Sequence, residues 1–260
     1  MAAPAVSSSE AIIFYDLLST APGKAWSPNT WKTRFALNYK GLPYKTVWVE
    51  YPDVAGVCNE IGASPTDTWP DGSPWYTLPA IYDPNTKTTV SDSAMIARYL
   101  DKTYPDTPVL IPPETDAFHA AFQEVFLLTI QKSILPLLLP PSVTVLNPPS
   151  AAYFRRTREM LYSKPLEEFS PDGPVREGYW QELQAGFAKL AQWMSANGQD
   201  KPFFMDEKIC HADLLIAGWL KWAKTVWGPD STEWATIMQW DSGKWARFMA
   251  SFEPYEVVDA

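Results

Sequence analysis

Three short motifs in the first 100 residues are the ones best suited to chemistry, and the first is Ser27. Ser27 stands directly before Pro28, and Ser followed by Pro is a strong signal for the start of a helix. A hydroxyl and a helix N-terminus both stabilise an anion, including a thiolate, whose parent thiol has an ordinary pKa of about 8.5. From the residues alone, Ser27 is either a helix cap or an anion-stabilising group, and the cap is the simpler interpretation.

The other two motifs are Leu78-Pro79, in an apolar strand, and Asp92-Ser93, before another helix. A carboxylate ligand is stabilised by a helix N-terminus and a hydroxyl donor such as Ser93, whereas an ammonium group is stabilised by a carboxylate such as Asp92. Capping alone also explains the pair, and capping and binding can coexist. A strand that begins at an ordinary trans proline is the alternative for Pro79.

Composition and missing motifs exclude several kinds of function. The charge is 21 minus 30, or -9, which argues against nucleic acid and against an anionic membrane surface. The chain contains no G-x-S-x-G motif, no phosphate-binding glycine loop, no zinc-type Cys/His spacing and no H-E-x-x-H motif. We therefore expect no metal site. With two histidines, His119 and His211, a Ser-His-Asp site has no support.

The cysteines and the apolar segments indicate a cytoplasmic protein. Cys58 and Cys210 are far apart and form no disulfide framework. The first basic residue is Lys24, so the N-terminus lacks the positive region of a signal peptide. The apolar stretch 134–146 is interrupted by prolines and is shorter than the roughly 20 residues that a membrane span needs. Cys58 is expected to be incidental to the chemistry.

Periodicity predicts the elements that position the three motifs. We predict strands at 11–18, 44–51, 77–82 and 87–90, with helices after Ser27 and Asp92 and a short one near 54–61. A proline-rich linker, 105–115, follows, and from residue 116 the pattern is helical. Another proline cluster, 136–150, is expected to be a surface excursion or lid. Strands followed by helices predict an α+β unit, 1–104, and an all-helical unit, 116–260.

The order and spacing of these motifs resemble those of the cytosolic glutathione transferases over roughly residues 11–250. The resemblance looks closest to the fungal-specific FuA class, which is itself similar to bacterial etherases and plant tau enzymes. It implies a thioredoxin-like N-terminal domain, an α-helical C-terminal domain and usually a homodimer. The motifs that carry it are Trp26-Ser27-Pro28, Thr77-Leu78-Pro79, Asp92-Ser93 and Ala212-Asp213.

The resemblance also implies a glutathione site on the N-terminal domain, with no tightly bound prosthetic group. Ser27 would stabilise the thiolate, with Asn29 and Thr30 as helpers. A cis Pro79 would turn Leu78 toward the ligand, so that its N–H and C=O pair with the cysteinyl part of glutathione. Asp92 and Ser93 would hold the ammonium and carboxylate of the γ-glutamyl end. The candidate cations for the glycyl carboxylate are Lys32, Arg34, Lys40 and Lys45.

A second, apolar acceptor would bind in the cleft between the domains. The aromatic stripe of the helix after residue 116 supplies the predicted pocket residues, Phe118 and Phe122, with His119 beside them, although core packing is the default for such a stripe. The 136–150 segment could lengthen one wall. In the Ala212-Asp213 motif, Cys210 stands at the helix cap, where a thiol is a poor acceptor, and Asp213 could still satisfy the helix start.

The expected function is that of a glutathione transferase of the serine type, acting in detoxification. It would conjugate glutathione thiolate to hydrophobic or aromatic electrophiles, or reduce hydroperoxides as a glutathione peroxidase. Ser rather than Cys at position 27 disfavours thiol–disulfide exchange. The alternatives are a ligandin that binds phenolic compounds with little turnover, glutathione-dependent aryl ether cleavage, and a scaffolding protein that has lost glutathione binding.

Overall fold

The computed structural model describes residues 10–198 and 201–258. A π-helical turn occupies Leu127–Gln131, and the last long helix is interrupted at residues 240–243. In chain order the elements are β1 (Ile12–Leu17), α1 (Pro28–Lys40), β2 (Tyr44–Val49), α2 (Val54–Glu60), β3 (Asp67–Thr68), β4 (Pro74–Trp75), β5 (Ala80–Asp83), β6 (Thr88–Ser91), α3 (Ser93–Thr103), α4 (Asp116–Phe126), α5 (Lys132–Ser142), α6 (Pro148–Tyr162), α7 (Pro174–Met194), α8 (His211–Trp227) and α9 (Thr232–Ala250).

The N-terminal half contains a mixed sheet that, in the part of the chain described, has four strands in the order β2-β1-β5-β6. β1 pairs with β2 in parallel, and β5 pairs with β1 and with β6 in antiparallel orientation. Ile12 and Phe14 of β1 are buried in the core. From α4 onward the elements are helices, so the predicted thioredoxin-like domain followed by a helical domain is confirmed. The short hairpin of β3 and β4 lies where the sequence predicted only loop.

A buried ion pair fixes α1 on the sheet. Arg34 Nη2 lies 2.7 Å from Asp16 Oδ2, and both side chains are fully buried. Arg34 Nη1 also donates to the Tyr44 hydroxyl at 3.1 Å and to Thr46 Oγ1 at 3.2 Å. Burial raises the pKa of Asp16, and the Arg34 guanidinium opposes that rise. The pair therefore links α1 to both β1 and β2, and removal of one partner would leave a buried charge without compensation.

The expectation that residues 136–150 form a surface excursion or lid is wrong. α5 runs through three prolines to Ser142, and the turn and helix that follow occupy the rest of the segment. Leu137 and Leu138 have no exposed surface. Full burial of such a side chain contributes about 1.5–3 kcal/mol, against a cost of about 3 kcal/mol for a proline inside a helix. Three prolines at this rate would cost about 9 kcal/mol together, and burial of Ile134 and Leu139 beside Leu137 and Leu138 is of comparable size, so the helix continues against the helix-breaking tendency on which the sequence prediction rested.

The helical stretch 116–145 is the one in the described part of the chain that is long and apolar enough, by length and composition, to cross a membrane. Its residues Phe126, Ile130 and Ile134 are fully buried in the protein core. Packing against α7 and α8 accounts for the apolar residues on this face, whereas Phe118 and Leu128 of the same stretch are exposed.

The first turn of α8 is held by Asp213. Its carboxylate accepts from the Cys210 N–H at 2.9 Å, from the Cys210 thiol at 3.1 Å and from the Phe204 N–H at 3.0 Å. The thiol acts as a donor here, and Asp213 satisfies the start of the helix as the sequence suggested. Burial raises the pKa of Asp213 to about 6.

α1 and α8 approach each other closely at Gly218. A Cβ atom on Gly218 would lie 2.6 Å from the Pro28 carbonyl oxygen and 3.2 Å from Lys32 Cγ. Carbon atoms do not approach a backbone oxygen so closely, so α8 needs Gly at this position. This contact determines where the first turn of α1, which carries the functional residues, lies relative to the helical domain.

We expect Gly218→Ala to destabilise the protein by about 1–3 kcal/mol, because overpacking forces α1 away from α8. Gly178→Ala is the matched control: it is also helical, but its Cβ would meet nothing within 4 Å. Ala is favoured over Gly inside a helix by about 0.5–1 kcal/mol, so the control should be slightly stabilised. Thermal unfolding curves of both variants measure the difference, and equal effects would contradict the close contact.

Candidate functional site

A cleft of about 400 Å³ lies between the α/β half and the helical half of the chain. This volume falls in the range of about 300–1,000 Å³ that is usual for small-molecule sites. Polar residues from α1, the β4–β5 connection and the start of α3 line one side, and residues of α4 to α6 and α8 line the other. The cleft therefore has a polar wall and a largely apolar wall.

Ser27 lies in this cleft at the N-cap of α1. Its side chain is buried, and Oγ accepts a long hydrogen bond of 3.3 Å from the Asn29 N–H. The hydroxyl hydrogen therefore remains able to point at a ligand. Asn29 is exposed and also lines the cleft. Thr30 does not line it, because its side chain is fully buried and donates to the Ser27 carbonyl at 3.3 Å.

Leu78 and Pro79 line the cleft through a cis peptide bond, as the resemblance implied. The Pro79 carbonyl accepts from the Asp92 N–H at 3.3 Å, which joins this loop to the start of α3. Among the hydrogen bonds of the described residues, none uses the N–H or C=O of Leu78. A peptide-like ligand could pair with both groups as a neighbouring strand does.

Asp92 and Ser93 stand at the start of α3, on the same wall. Asp92 Oδ1 accepts from the N–H groups of Ala94 and Met95 at 2.9 and 3.0 Å, so the second carboxylate oxygen stays available. Asp92 has φ 72°, a conformation that costs about 1–3 kcal/mol in a non-glycine residue and is often found at functional sites. Capping and ligand binding are therefore compatible at this motif.

Lys32 is the residue among the four candidate cations that lines the cleft. Burial lowers its pKa to about 8, and the Asp92 carboxylate opposes this effect. Arg34 is engaged with Asp16. Lys40 lies 2.7 Å from Asp101 and donates to the Pro108 carbonyl, and Lys45 is exposed on β2.

The structure places the three predicted acceptor residues outside the cleft. Phe118 is 75% exposed. Phe122 packs against Phe126 and Phe204. His119 lines a separate cavity of about 200 Å³ that it shares with His211. The face of α4 and α5 that meets the cleft instead carries a stripe with a spacing of four residues: Gln123, Leu127, Gln131, Leu135 and Leu139.

Aromatic residues from outside α4 form the cleft wall that the sequence prediction missed. Tyr51 and Tyr153 are stacked with their centroids 5.7 Å apart. The Trp26 ring meets Tyr51 at 6.2 Å and Phe154 at 6.0 Å. The helical spacing of Tyr153, Phe154 and Arg158 on α6 was the signal that could have found this wall.

Family models match both halves of the chain. The glutathione S-transferase N-terminal domain matches residues 26–103, and the glutathione S-transferase C-terminal domain matches residues 117–255. The second match alone covers more than half of the chain. Both matches include residues that line the cleft.

Individual relatives match over almost the whole chain. A glutathione S-transferase of Ceriporiopsis subvermispora, solved in complex with glutathione, is 56% identical with a TM-score of 0.93, and the match covers 96% of this chain and 100% of that one. The transferase GSTFuA3 of Phanerochaete chrysosporium is 44% identical with a TM-score of 0.91, covering 96% and 99%. The glutathione S-transferase-like protein ustS of Aspergillus flavus is 34% identical, covering 89% of this chain and 86% of that protein.

We expect Lys32→Met to stabilise the ligand-free protein at pH 7 by on the order of 3 kcal/mol, since one pKa unit corresponds to about 1.4 kcal/mol. The folded pKa, about 8, lies below the ordinary value of 10.5. The folded state therefore releases its proton first, and wild-type stability rises with pH between about 8 and 10.5. The variant should lose this rise.

Unfolding by urea at several pH values measures the effect, with the exposed Lys45→Met as control. The control should change stability by less than about 0.5 kcal/mol at all pH values. A Lys32→Met variant that is less stable than wild type at pH 7 would show that the lysine is stabilised in the fold rather than penalised.

Proposed function

The chain belongs to the glutathione S-transferase family, and we propose that it binds glutathione in the cleft, activates it as a thiolate at Ser27 and transfers it to hydrophobic or aromatic electrophiles. One observation carries the proposal. The Ser27 hydroxyl, at the N-terminus of α1, faces the same cleft as the unpartnered backbone of Leu78. A thiol-containing peptide paired with Leu78 would bring its sulfur close to that hydroxyl.

The proposed role of Ser27 is to lower the pKa of the bound thiol. Its hydroxyl donates to the sulfur, and the N-terminus of α1 adds a positive potential. Each pKa unit of lowering corresponds to about 1.4 kcal/mol of preferential thiolate stabilisation. The thiolate sulfur then forms a bond to the electrophilic carbon, and the leaving group departs with its bonding electrons.

The remaining groups of glutathione have matching partners on the polar wall. We propose that the free oxygen of Asp92 binds the ammonium group and that Ser93, at the start of α3, binds the γ-glutamyl carboxylate. Lys32 is the proposed cation for a second carboxylate, which would raise its lowered pKa again. Exposed Asn29 would contact the ligand at the edge of the cleft. Thr30 would help to position Ser27 through the hydrogen bond that its hydroxyl donates to the Ser27 carbonyl.

Binding of phenolic compounds with little turnover, as in a ligandin, is the second candidate function. The stacked pair of Tyr51 and Tyr153, with Phe154 and Trp219 nearby in the cleft, favours flat aromatic ligands. Hydroperoxide reduction and aryl ether cleavage would start from the same thiolate. In hydroperoxide reduction the thiolate attacks the peroxide oxygen, the alkoxide leaves, and a second glutathione converts the resulting sulfenic acid to the disulfide and water. In ether cleavage the thiolate bonds to the ether carbon and the phenolate leaves with the bonding electrons. Both reactions, like conjugation, are consistent with a role in detoxification.

We propose a cytoplasmic location and the domain limits predicted above, 1–104 and 116–260 with the linker 105–115. Cys58 and Cys210 are both free and buried, which suits a reducing compartment.

Among the described residues, no group of three or more His, Cys, Asp or Glu side chains could hold a metal ion.

A homodimer, which the family resemblance implies, is proposed, and exposed apolar side chains of α3, α4 and the π-helical turn after α4 are the candidate contacts. The Arg98 and Asp116 side chains, 2.6 Å apart, tie these two helices together. Met95, Phe118 and Leu128 are 54%, 75% and 78% exposed. We propose that these three side chains belong to one patch that the partner covers, since contiguous exposed apolar patches mark protein interfaces.

We expect Ser27→Ala to abolish the ultraviolet thiolate absorbance that appears when glutathione is added near neutral pH. Loss of one positioned donor reduces turnover by about 100-fold or more, whereas glutathione affinity should stay within about threefold. Ser231→Ala is the matched control, because Ser231 also caps a helix, α9, and accepts from the Trp234 N–H. It should lose about 1 kcal/mol of stability and no activity.

The outcomes separate the candidate functions. Equal loss of affinity and rate in Ser27→Ala would identify Ser27 as a cap or binding residue. Glutathione binding by the wild type with no thiolate signal would favour the ligandin. An absence of glutathione binding would leave only a scaffolding role.

Phe118→Asp combined with Leu128→Glu should convert a dimer into a monomer of 29.3 kDa. Two buried charges in an apolar interface cannot be solvated. Met160→Asp is the control, since Met160 is 55% exposed on α6. Sedimentation velocity measures the mass, and a dimeric double variant would place the interface elsewhere.

A further inference from the structure

A cation lies in the otherwise apolar and aromatic part of the cleft. Arg158 of α6 lines the cleft together with Tyr51, Tyr153 and Phe154. Its guanidinium carbon lies 4.3 Å from the Phe154 ring centroid and 5.2 Å from that of Tyr51. The flat group is therefore held between aromatic surfaces rather than free in solvent.

Arg158 has no acidic partner among the described residues. Glu159, the next residue on α6, and Glu167, in the turn after α6, both pair with Arg155. Glu50, next to Tyr51, accepts from the side chains of Asn147 and Ser150. Arg158 Nη1 donates to Thr157 Oγ1 at 2.9 Å, and the guanidinium also interacts with the Tyr51 hydroxyl.

These contacts leave several of the five N–H donors of a guanidinium without a partner. A half-buried cation that lacks a counter-ion gains most from an anionic ligand, and a guanidinium binds a carboxylate through two parallel hydrogen bonds. The rings around it favour an aromatic ligand, which they can stack against.

The same rings connect Arg158 to Ser27. Trp26, the neighbour of Ser27, contacts both Tyr51 and Phe154, and Arg158 lies over those two rings. An aromatic compound in the cleft can thus present one end to the sulfur of glutathione and the other end to the guanidinium.

We propose that Arg158 selects acceptors that carry an anionic group, above all aromatic carboxylates, and binds that group while the opposite side of the ring faces the thiolate. This inference rests on the proposed function, which it extends to the class of acceptor. For a chloro-nitroaromatic carboxylate, the glutathione sulfur bonds to the ring carbon and chloride leaves with the bonding electrons. The carboxylate itself does not react.

The test compares 4-chloro-3-nitrobenzoate with the neutral 4-chloro-3-nitrobenzamide, which has nearly the same size. Quenching of tryptophan fluorescence gives the affinity for each, measured with and without unreactive S-methylglutathione. We expect Arg158→Gln to weaken benzoate binding about 10- to 100-fold, the usual effect of losing a charge-assisted pair. Binding of the benzamide should change less than about twofold.

Two further variants serve as controls. Arg156→Gln removes the same charge from the same helix, but Arg156 is exposed and does not line the cleft. It should leave both affinities unchanged within about twofold. Arg158→Lys keeps the positive charge but lacks the two parallel N–H donors of a guanidinium. Its benzoate affinity should therefore lie between those of Arg158→Gln and the wild type.

Equal losses for benzoate and benzamide in Arg158→Gln would overturn the proposal, as would an unchanged benzoate affinity. If Arg158→Gln does not fold, Arg158→Lys decides by the same comparison of the two ligands. Conjugation is measured separately by release of chloride. A wild type that binds the benzoate through Arg158 but conjugates neither compound would refute the transferase function and leave the ligand selectivity standing.

Discussion

The close packing of α1 against α8 at Gly218 is the constraint on which the cleft depends. α1 begins with Ser27, and α8 contributes Leu215, Trp219 and Trp222 to the opposite wall. Because the Pro28 carbonyl and the Gly218 backbone leave no room for a side chain between them, the two walls meet at a fixed separation. The distance from the Ser27 hydroxyl to the opposite wall is thus set by contact between two helices rather than by a loop.

The buried pair of Asp16 and Arg34 holds α1 from its other side. A fully desolvated ion pair adds little net stability compared with apolar packing. The effect of this pair is therefore to fix the position of α1 rather than to stabilise the fold. Bonds from one guanidinium to Asp16, Tyr44 and Thr46 fix the rotation of α1 relative to β1 and β2. α1 thus contacts Gly218 of α8 on one side and is bonded to the sheet through Arg34 on the other. These two contacts fix the orientation of α1 and of its first turn.

The sequence predicted the polar wall well and the apolar wall poorly, for physical reasons. The positions of Ser27 and Asp92 follow from helix capping, a local signal that neighbouring residues determine. The wall formed by Tyr51 and α6 depends on packing between distant segments, which residue spacing does not contain. The helix through 136–142 formed against its local proline signal because burial of Ile134 and of Leu137, Leu138 and Leu139 is comparable in size to the cost of the three prolines. Phe118 was predicted to line the acceptor pocket but is exposed. An apolar stripe identifies a face of a helix, but it does not identify what packs against that face.

The polar wall carries several costs in the absence of a ligand. Lys32 is buried with a lowered pKa, Asp92 holds a strained φ of 72°, and the Leu78 backbone lacks partners among the described residues. In the proposed complex, a ligand with a peptide backbone and a carboxylate would supply partners for the Leu78 backbone and for Lys32, whereas the φ of Asp92 would stay strained. On the other wall Arg158 is a similar case, because this cation lies over aromatic rings and no acidic side chain among the described residues pairs with it. The polar and charged groups that reduce the stability of the empty cleft are thus the groups that indicate the chemistry of its ligand.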